Sequence, residues 1–142
     1  MVKQISIFLE NKKGRLARAC RVLGDANVNI RALSIADTAD FGLLRLIVND
    51  PEKAYAVLKE KGFTANITDV LAIKVPDRPN GLAEVLESLD QADINVEYMY
   101  AFIGSDAEDA LVIIRVENAA ALVEVIERTG VQVLRENELY AL

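Results

Sequence analysis

The chain has 142 residues, which suits one domain or two small ones, and 22 acids against 16 bases leave a formal net charge of -6. Hydrophobic residues at 52% and charged residues at 27% describe a soluble globular protein. With no His, no Trp and a single cysteine, Cys20, the sequence excludes a Ser-His-Asp triad, a Cys-His pair, a His-ligated metal, a zinc knuckle and a disulfide framework.

Ile5, Ile7 and Leu9 alternate with Gln4, Ser6 and Phe8, the period of a strand. Leu16, Ala19, Cys20 and Leu23 then fall on one face of a helix, which makes Cys20 a small core residue. Gly24 and Asp25-Ala26-Asn27 end that helix. A strand is expected from Asn29 to Ile35, a turn over Asp37 to Asp40, and a third strand from Leu43 to Asn49. Asp50 reads as the N-cap of a second helix with Pro51 at its first position, and Gly62 ends it. Residues 63–68 form a last strand.

The same pattern then repeats. LARACRVLGDANVNI at 16–30 faces LAEVLESLDQADINV at 82–96 at an offset of 66. Leu71, Ile73 and Val75 alternate as a strand, and Leu82, Val85, Leu86 and Leu89 repeat the helical face. LLRLIVN at 43–49 faces LVIIRVE at 111–117 at an offset of 68, so two residues enter the second copy between Glu97 and Asp109. Arg135 to Leu142 reads either as a continued strand or as a short helix. The order β-α-β-β-α-β is the ferredoxin-like unit, and the fold class is α+β, with two such units joined side by side and helices on one face. The expected domains are 1–69 and 70–142.

Both sheet faces are expected to be buried. Ile5, Ile7, Leu9, Ile30, Leu44, Leu46 and Val48 share the parity that faces the helices. Phe8, Leu33, Ile35, Leu43, Ile47, Met99, Leu111 and Ile113 fall on the other parity, an apolar set that points to a second chain packed against it.

The loop between first strand and first helix carries the chemistry. It reads Asn11-Lys12-Lys13-Gly14-Arg15-Leu16 in copy one and Asp77-Arg78-Pro79-Asn80-Gly81-Leu82 in copy two. A permissive residue just before a helix lets backbone N–H groups point outward at the positive end of the helix dipole, where they suit a carboxylate or phosphate; an ordinary strand-to-helix turn is the alternative.

The pattern of strand, Asp-x-Pro-Gly-x-Leu, helix, then Ile-Asn-Ile and strand resembles the ACT domain, a ligand-binding regulatory module. Copy two carries DRPNGL and INV, copy one NKKGRL and VNI. Lys13 stands where the motif has Pro, and Asn80 where it has Gly, with Gly81 one place on. The resemblance implies a tandem ACT protein whose domains pair through their second strands, near residues 30–35 and 96–102, and hold a small molecule at that seam. It implies ligand-binding roles for Asn11, Lys13, Gly14, Arg15 and Leu16 together with Asn95, and for Asp77, Asn80, Gly81 and Leu82 together with Asn29. N–H donors would take an amino acid's carboxylate, and Asn or Asp oxygens its ammonium. In strand position, Asn29 and Asn95 would otherwise bond only their own backbone.

The functional expectation is a regulator that binds a free amino acid and acts on a separate enzyme or transporter, as a homodimer, without cofactor or metal. A ligand-free structural or adaptor subunit is the alternative. An acylphosphatase-like enzyme would need an Arg in a phosphate cradle and an Asn placing a water; Arg15 or Arg78 with Asn29 imitates this, but the glycine-rich cradle is missing. No nucleic acid is expected, because the net charge is wrong and Phe8 stands nearly alone. No apolar run approaches the ~20 residues of a membrane span, and Met1-Val2-Lys3-Gln4 does not read as a signal peptide, so the cytoplasm is the expected compartment.

Overall fold

The structure is a computed structural model, and it describes residues 1–37, 41–102 and 109–140. The expected turn at 38–40, most of the expected insertion in copy two, and the last two residues lie outside the described residues. Contacts divide the chain into two compact units. The first is Lys3–Asp69 joined by Leu139 and Tyr140, and the second is Val70–Glu138 joined by Met1 and Val2.

The first unit contains β1 (Val2–Glu10, entered from the second unit), α1 (Arg15–Asp25), β2 (Ile30–Asp37), β3 (Phe41–Val48) and α2 (Pro51–Glu60). It closes on the first half of β4 (Thr64–Pro76). Its strands run in the order β2-β3-β1-β4. The second unit takes the other half of β4, then α3 (Gly81–Gln91), β5 (Val96–Ala101), β6 (Asp109–Val116), α4 (Ala119–Thr129) and β7 (Val133–Leu134). There β5 pairs with β6, β6 with β4, and β4 with β7, all antiparallel. Each unit therefore has the β-α-β-β-α-β order. The two strands expected at 63–68 and 71–75 are one continuous strand, because nothing from Thr64 to Val75 breaks the extended backbone. Within the stretch expected as strand or helix, Glu136–Tyr140 form a short helix, α5, whose Leu139 is fully buried.

Local chemistry explains the helix ends. Asp50 accepts a hydrogen bond from the Lys53 N–H at 3.2 Å, with Pro51 in the first turn, as a capped helix start requires. The α1 stripe is rotated from the expected one. Ala19, Val22 and Leu23 are the buried residues of α1, whereas Cys20 is exposed and is not a core residue. Leu16 is 41% exposed at the same edge. A step of about 100° per residue puts Val22 beside Ala19 and turns Cys20 outward.

Each unit has its own core. In the first, Ile5, Ile7, Leu44 and Leu46 of the sheet meet Ala19 and Leu23 of α1 and Ala54 and Leu58 of α2. In the second, Leu71, Ile73, Val112 and Ile114 meet Val85, Leu89, Leu122 and Ile126. These contacts define the helix-covered face of each sheet.

The register corrects the expected composition of the other face. β2 shifts register between Ile30 and Ala32, and the shift places Leu33 opposite Leu46 and Ile35 opposite Leu44. Both belong to the helix-facing rows, because one extra residue in a strand reverses the faces of all that follow. β5 shifts in the same way between Val96 and Tyr98, so Met99 lies opposite Ile114 and packs on the second core. Ile47, Leu111 and Ile113 do lie on the opposite rows, paired with Ala32, Lys74 and Ala72 respectively. They are already buried in the single chain, so their burial calls for no second copy. Phe8, opposite Leu43, stays 47% exposed on that face.

Candidate functional site

The two strand-to-helix loops fold alike. In the first unit the Lys12 N–H donates to Glu10 O at 2.7 Å, the Arg15 N–H to Lys12 O at 3.3 Å, and the Arg18 N–H to Gly14 O at 2.9 Å. In the second, the Arg78 N–H donates to Pro76 O at 2.9 Å, the Gly81 N–H to Arg78 O at 3.0 Å, and the Glu84 N–H to Asn80 O at 2.9 Å. Every donor and acceptor is displaced by the same 66 residues.

Gly14 and Asn80 occupy equivalent helix-cap positions, at φ 90° and φ 69°. Glycine enters this left-handed region without cost, and Asn is among the few other residues that tolerate it. The displaced glycine of copy two therefore leaves the left-handed cap in place. Gly81 has a separate role: a Cβ there would stand 2.1 Å from Pro76 O. The equivalent position in the first unit is Arg15, which carries a side chain.

Neither cap supplies a side-chain hydrogen bond to its helix. The first-turn N–H groups of a helix have no intrahelical acceptor. Those of Leu16 and Ala17, and of Leu82 and Ala83, thus point out of the start of α1 and α3. This is the donor set and dipole end that a small anion needs.

Beside the first loop lies a groove of about 350 Å³, lined by Leu9, Glu10, Asn11, Lys12, Leu16, Ile35 and Gly42. It lies at the lower end of the volume range of small-molecule sites. Asn11 and Leu16 both line it. Ile35 and Gly42 were not among the expected residues; the β2 register shift, which the sequence pattern hides, brings Ile35 to this row. Lys13 is exposed in the same loop. The Arg15 guanidinium does not join the groove. Its carbon lies 5.0 Å from the centroid of the buried Phe63 ring.

Glu10 and Lys12 form an ion pair at 2.9 Å on the groove wall. The hydrogen bond from Lys12 holds the Glu10 carboxyl below its ordinary range. The Lys12 charge adds to this, burial opposes it, and the Arg15 charge contributes least.

In the second unit Asp77 is exposed in the loop and Leu82 is partly exposed. Arg78 pairs with Glu84 at 2.9 Å, which ties the loop to the first turn of α3. A groove of about 570 Å³ runs from Pro76, Arg78 and Gly81 to Thr129 and Gln132.

Asn29 and Asn95 are exposed at the starts of β2 and β5. The Asn29 N–H donates to Asn49 Oδ1 at 2.9 Å, and the Asn49 N–H to Asn29 O at 3.1 Å. Each Asn lies at the far end of its own sheet from its own loop. Ile30 pairs with Val48, whereas the loop follows Glu10, which pairs with Phe41. In the second unit Val96 pairs with Val116, whereas the loop follows Pro76, which pairs with Asp109. The intervening strand is about 20 Å long, so neither Asn reaches the loop of its own unit. The expected pairing of second strands is not part of the ladders described. β2 pairs with β3 and β5 with β6, each along one edge.

The family whose description is "ACT domain pair" matches residues 1–142. The chain belongs to the ACT domain pair family. ACT domains are regulatory, ligand-binding domains. The chain is 46% identical to protein BT0572 from Bacteroides thetaiotaomicron, a likeness that covers 99% of this chain and 96% of that one with a TM-score of 0.92. It shares its fold with the ligand-free regulatory subunit of aspartate kinase from Thermus thermophilus, at 15% identity, TM-score 0.65, and coverage of 89% and 91%. The corresponding subunit from Thermus flavus gives 15%, 0.62, 90% and 92%. No curated protein matches the chain. No described helix of this ACT pair is long and apolar enough to cross a membrane.

Proposed function

We propose that this ACT pair binds a free amino acid without transforming it and passes the binding on to a separate enzyme or transporter. The observation that carries the reading is the matching hydrogen-bond pattern of the two loops, each with a left-handed cap and an open first helical turn. The N–H groups of Leu16 and Leu82, with their neighbours, suit the ligand carboxylate, and the Asn11 or Asp77 oxygens suit its ammonium. Asn29 and Asn95 complete the sites from another domain, Asn29 beside Asp77 and Asn95 beside Asn11. We assign that role to a second copy of the chain in a homodimer, paired along the edges of β2 and β5 that carry no described ladder. The regulatory subunits of aspartate kinase that share the fold support a partner enzyme as the target. The reading assigns no catalytic residue.

The test is a thermal-shift screen of the twenty amino acids followed by titration calorimetry and sedimentation. At least one amino acid should raise the melting temperature and bind in one or two sites per chain of a dimer. The absence of any shift and any heat would overturn the reading in favour of a ligand-free adaptor.

A further inference from the structure

Arg31 stands in the bulge of β2 between Ile30 and Ala32. Its Nε is shut off from solvent and has no hydrogen-bond partner among the described residues. It takes part in none of the ion pairs among those residues. Removing a guanidinium N–H from water without giving it an acceptor is unfavourable, so the position is set up for an anion.

The equivalent residue of the second unit is Glu97, which also sits in a bulge, between Val96 and Tyr98. Glu97 is already paired, with Arg115 at 3.6 Å. The repeat has thus diverged in charge at one structural position: on β2 a cation in no ion pair among the described residues, and on β5 an anion paired with Arg115.

Arg31 follows Asn29 by two residues, about 7 Å along the strand. Asn29 is held in place by its reciprocal bonds with Asn49. In the amino-acid reading, the ligand carboxylate goes to helix N–H groups and its ammonium to Asp77 and Asn29. That leaves no group of a neutral amino acid for a cation to meet. A guanidinium is suited to a second carboxylate, which it can grip with two parallel N–H bonds.

We infer that Arg31 recognises the side-chain acid of the ligand, so that the site containing Asn29 takes a dicarboxylic α-amino acid of the aspartate or glutamate type. The inference rests on the amino-acid reading above and narrows it. The site containing Asn95 offers Glu97 at that place and no free cation, so one acidic ligand binds per chain.

Titration calorimetry with aspartate, glutamate, asparagine and glutamine, on the wild type and on Arg31→Gln and Arg31→Lys, tests this. In the wild type one of the acids should bind at least about tenfold more tightly than its amide, as a charge-assisted hydrogen bond allows, with one site per chain. Arg31→Gln should bring that ratio close to one while leaving amide binding in place, and Arg31→Lys should keep part of it. Equal binding of acid and amide by the wild type overturns the inference and needs no variant to show it. So does a ratio unchanged in Arg31→Gln, including the case where that variant alters only sedimentation because Arg31 meets a carboxylate of a second copy. Binding of a neutral amino acid alone overturns the inference and leaves the amino-acid reading intact; silence with all twenty overturns both.

Discussion

The Arg15 guanidinium lies over the ring of Phe63, its carbon 5.0 Å from the centroid. Arg15 opens α1 at the end of the strand-to-helix loop, yet its charge is turned onto the segment that follows α2. Its Nε is buried there without a hydrogen-bond partner among the described residues. The loop is thereby anchored by a cation–π contact, and the guanidinium stays out of the groove beside the loop.

Arg15→Ala should therefore lower stability by about 1 kcal/mol, from the ring contact and the packed stem together. Urea denaturation measures this. Ligand affinity should change less than twofold in the same protein, and a large loss of affinity with unchanged stability would place the guanidinium in the site after all.

Asp77 is the stronger acceptor of the two loop side chains, since an ionised carboxylate bonds an ammonium more tightly than an amide oxygen does. Asp77→Ala should weaken amino-acid binding by about 1.5–3 kcal/mol, and Asn11→Ala by less. Calorimetry on both variants ranks the two sites, and equal losses would contradict the ranking.

Gly81 and Gly24 should respond to alanine with opposite signs. A Cβ at Gly81 stands 2.1 Å from Pro76 O, so the loop backbone must shift, at a cost of about 1–3 kcal/mol. At Gly24, within α1, nothing lies within 4 Å of the added carbon. Gly24→Ala should stabilise by about 0.5–1 kcal/mol through helix propensity. Thermal or urea melts of the pair check the signs.

Lys12 controls the charge of Glu10. Lys12→Met should raise the Glu10 pKa towards its ordinary value, by removing first the hydrogen bond and then the charge, and added salt should act in the same direction. A carboxyl-detected NMR titration reports it. Because the folded-state value lies below the unfolded one, the pair's contribution is present above the unfolded pKa. It fades as the pH falls through the folded value.

The repeat and the element order were legible because each strand and helix kept its own hydrophobic period. The faces were not. A register shift at Arg31 or Glu97 leaves the alternation of the sequence untouched while reversing which side Leu33, Ile35 and Met99 take. Cys20 misled for a related reason: Leu16, Ala19, Cys20 and Leu23 make a good stripe, but the stripe containing Val22 wins the core. At the site, Asn80 matched Gly14 once copy was set against copy, whereas comparison with the family motif alone made Gly81 seem displaced. Arg31 could not be singled out at all, since a buried Nε without an acceptor among the described residues is a property of packing rather than of pattern.

The Asn80-Gly81 pair also sets a chemical clock. An Asn followed by Gly is the dipeptide in which the next backbone nitrogen most readily attacks the side-chain carbonyl, closing a succinimide and releasing ammonia. Here the Gly81 nitrogen is held by its bond to Arg78 O at 3.0 Å, so the intact loop restrains the attacking atom. Each local opening frees it. Ageing of this protein will then write a new carboxylate, and often an extra backbone methylene, into the start of α3, where negative charge and altered spacing both disturb the open first-turn N–H groups. The first unit, with Gly14-Arg15 at the same place, has no Asn-Gly step in its loop.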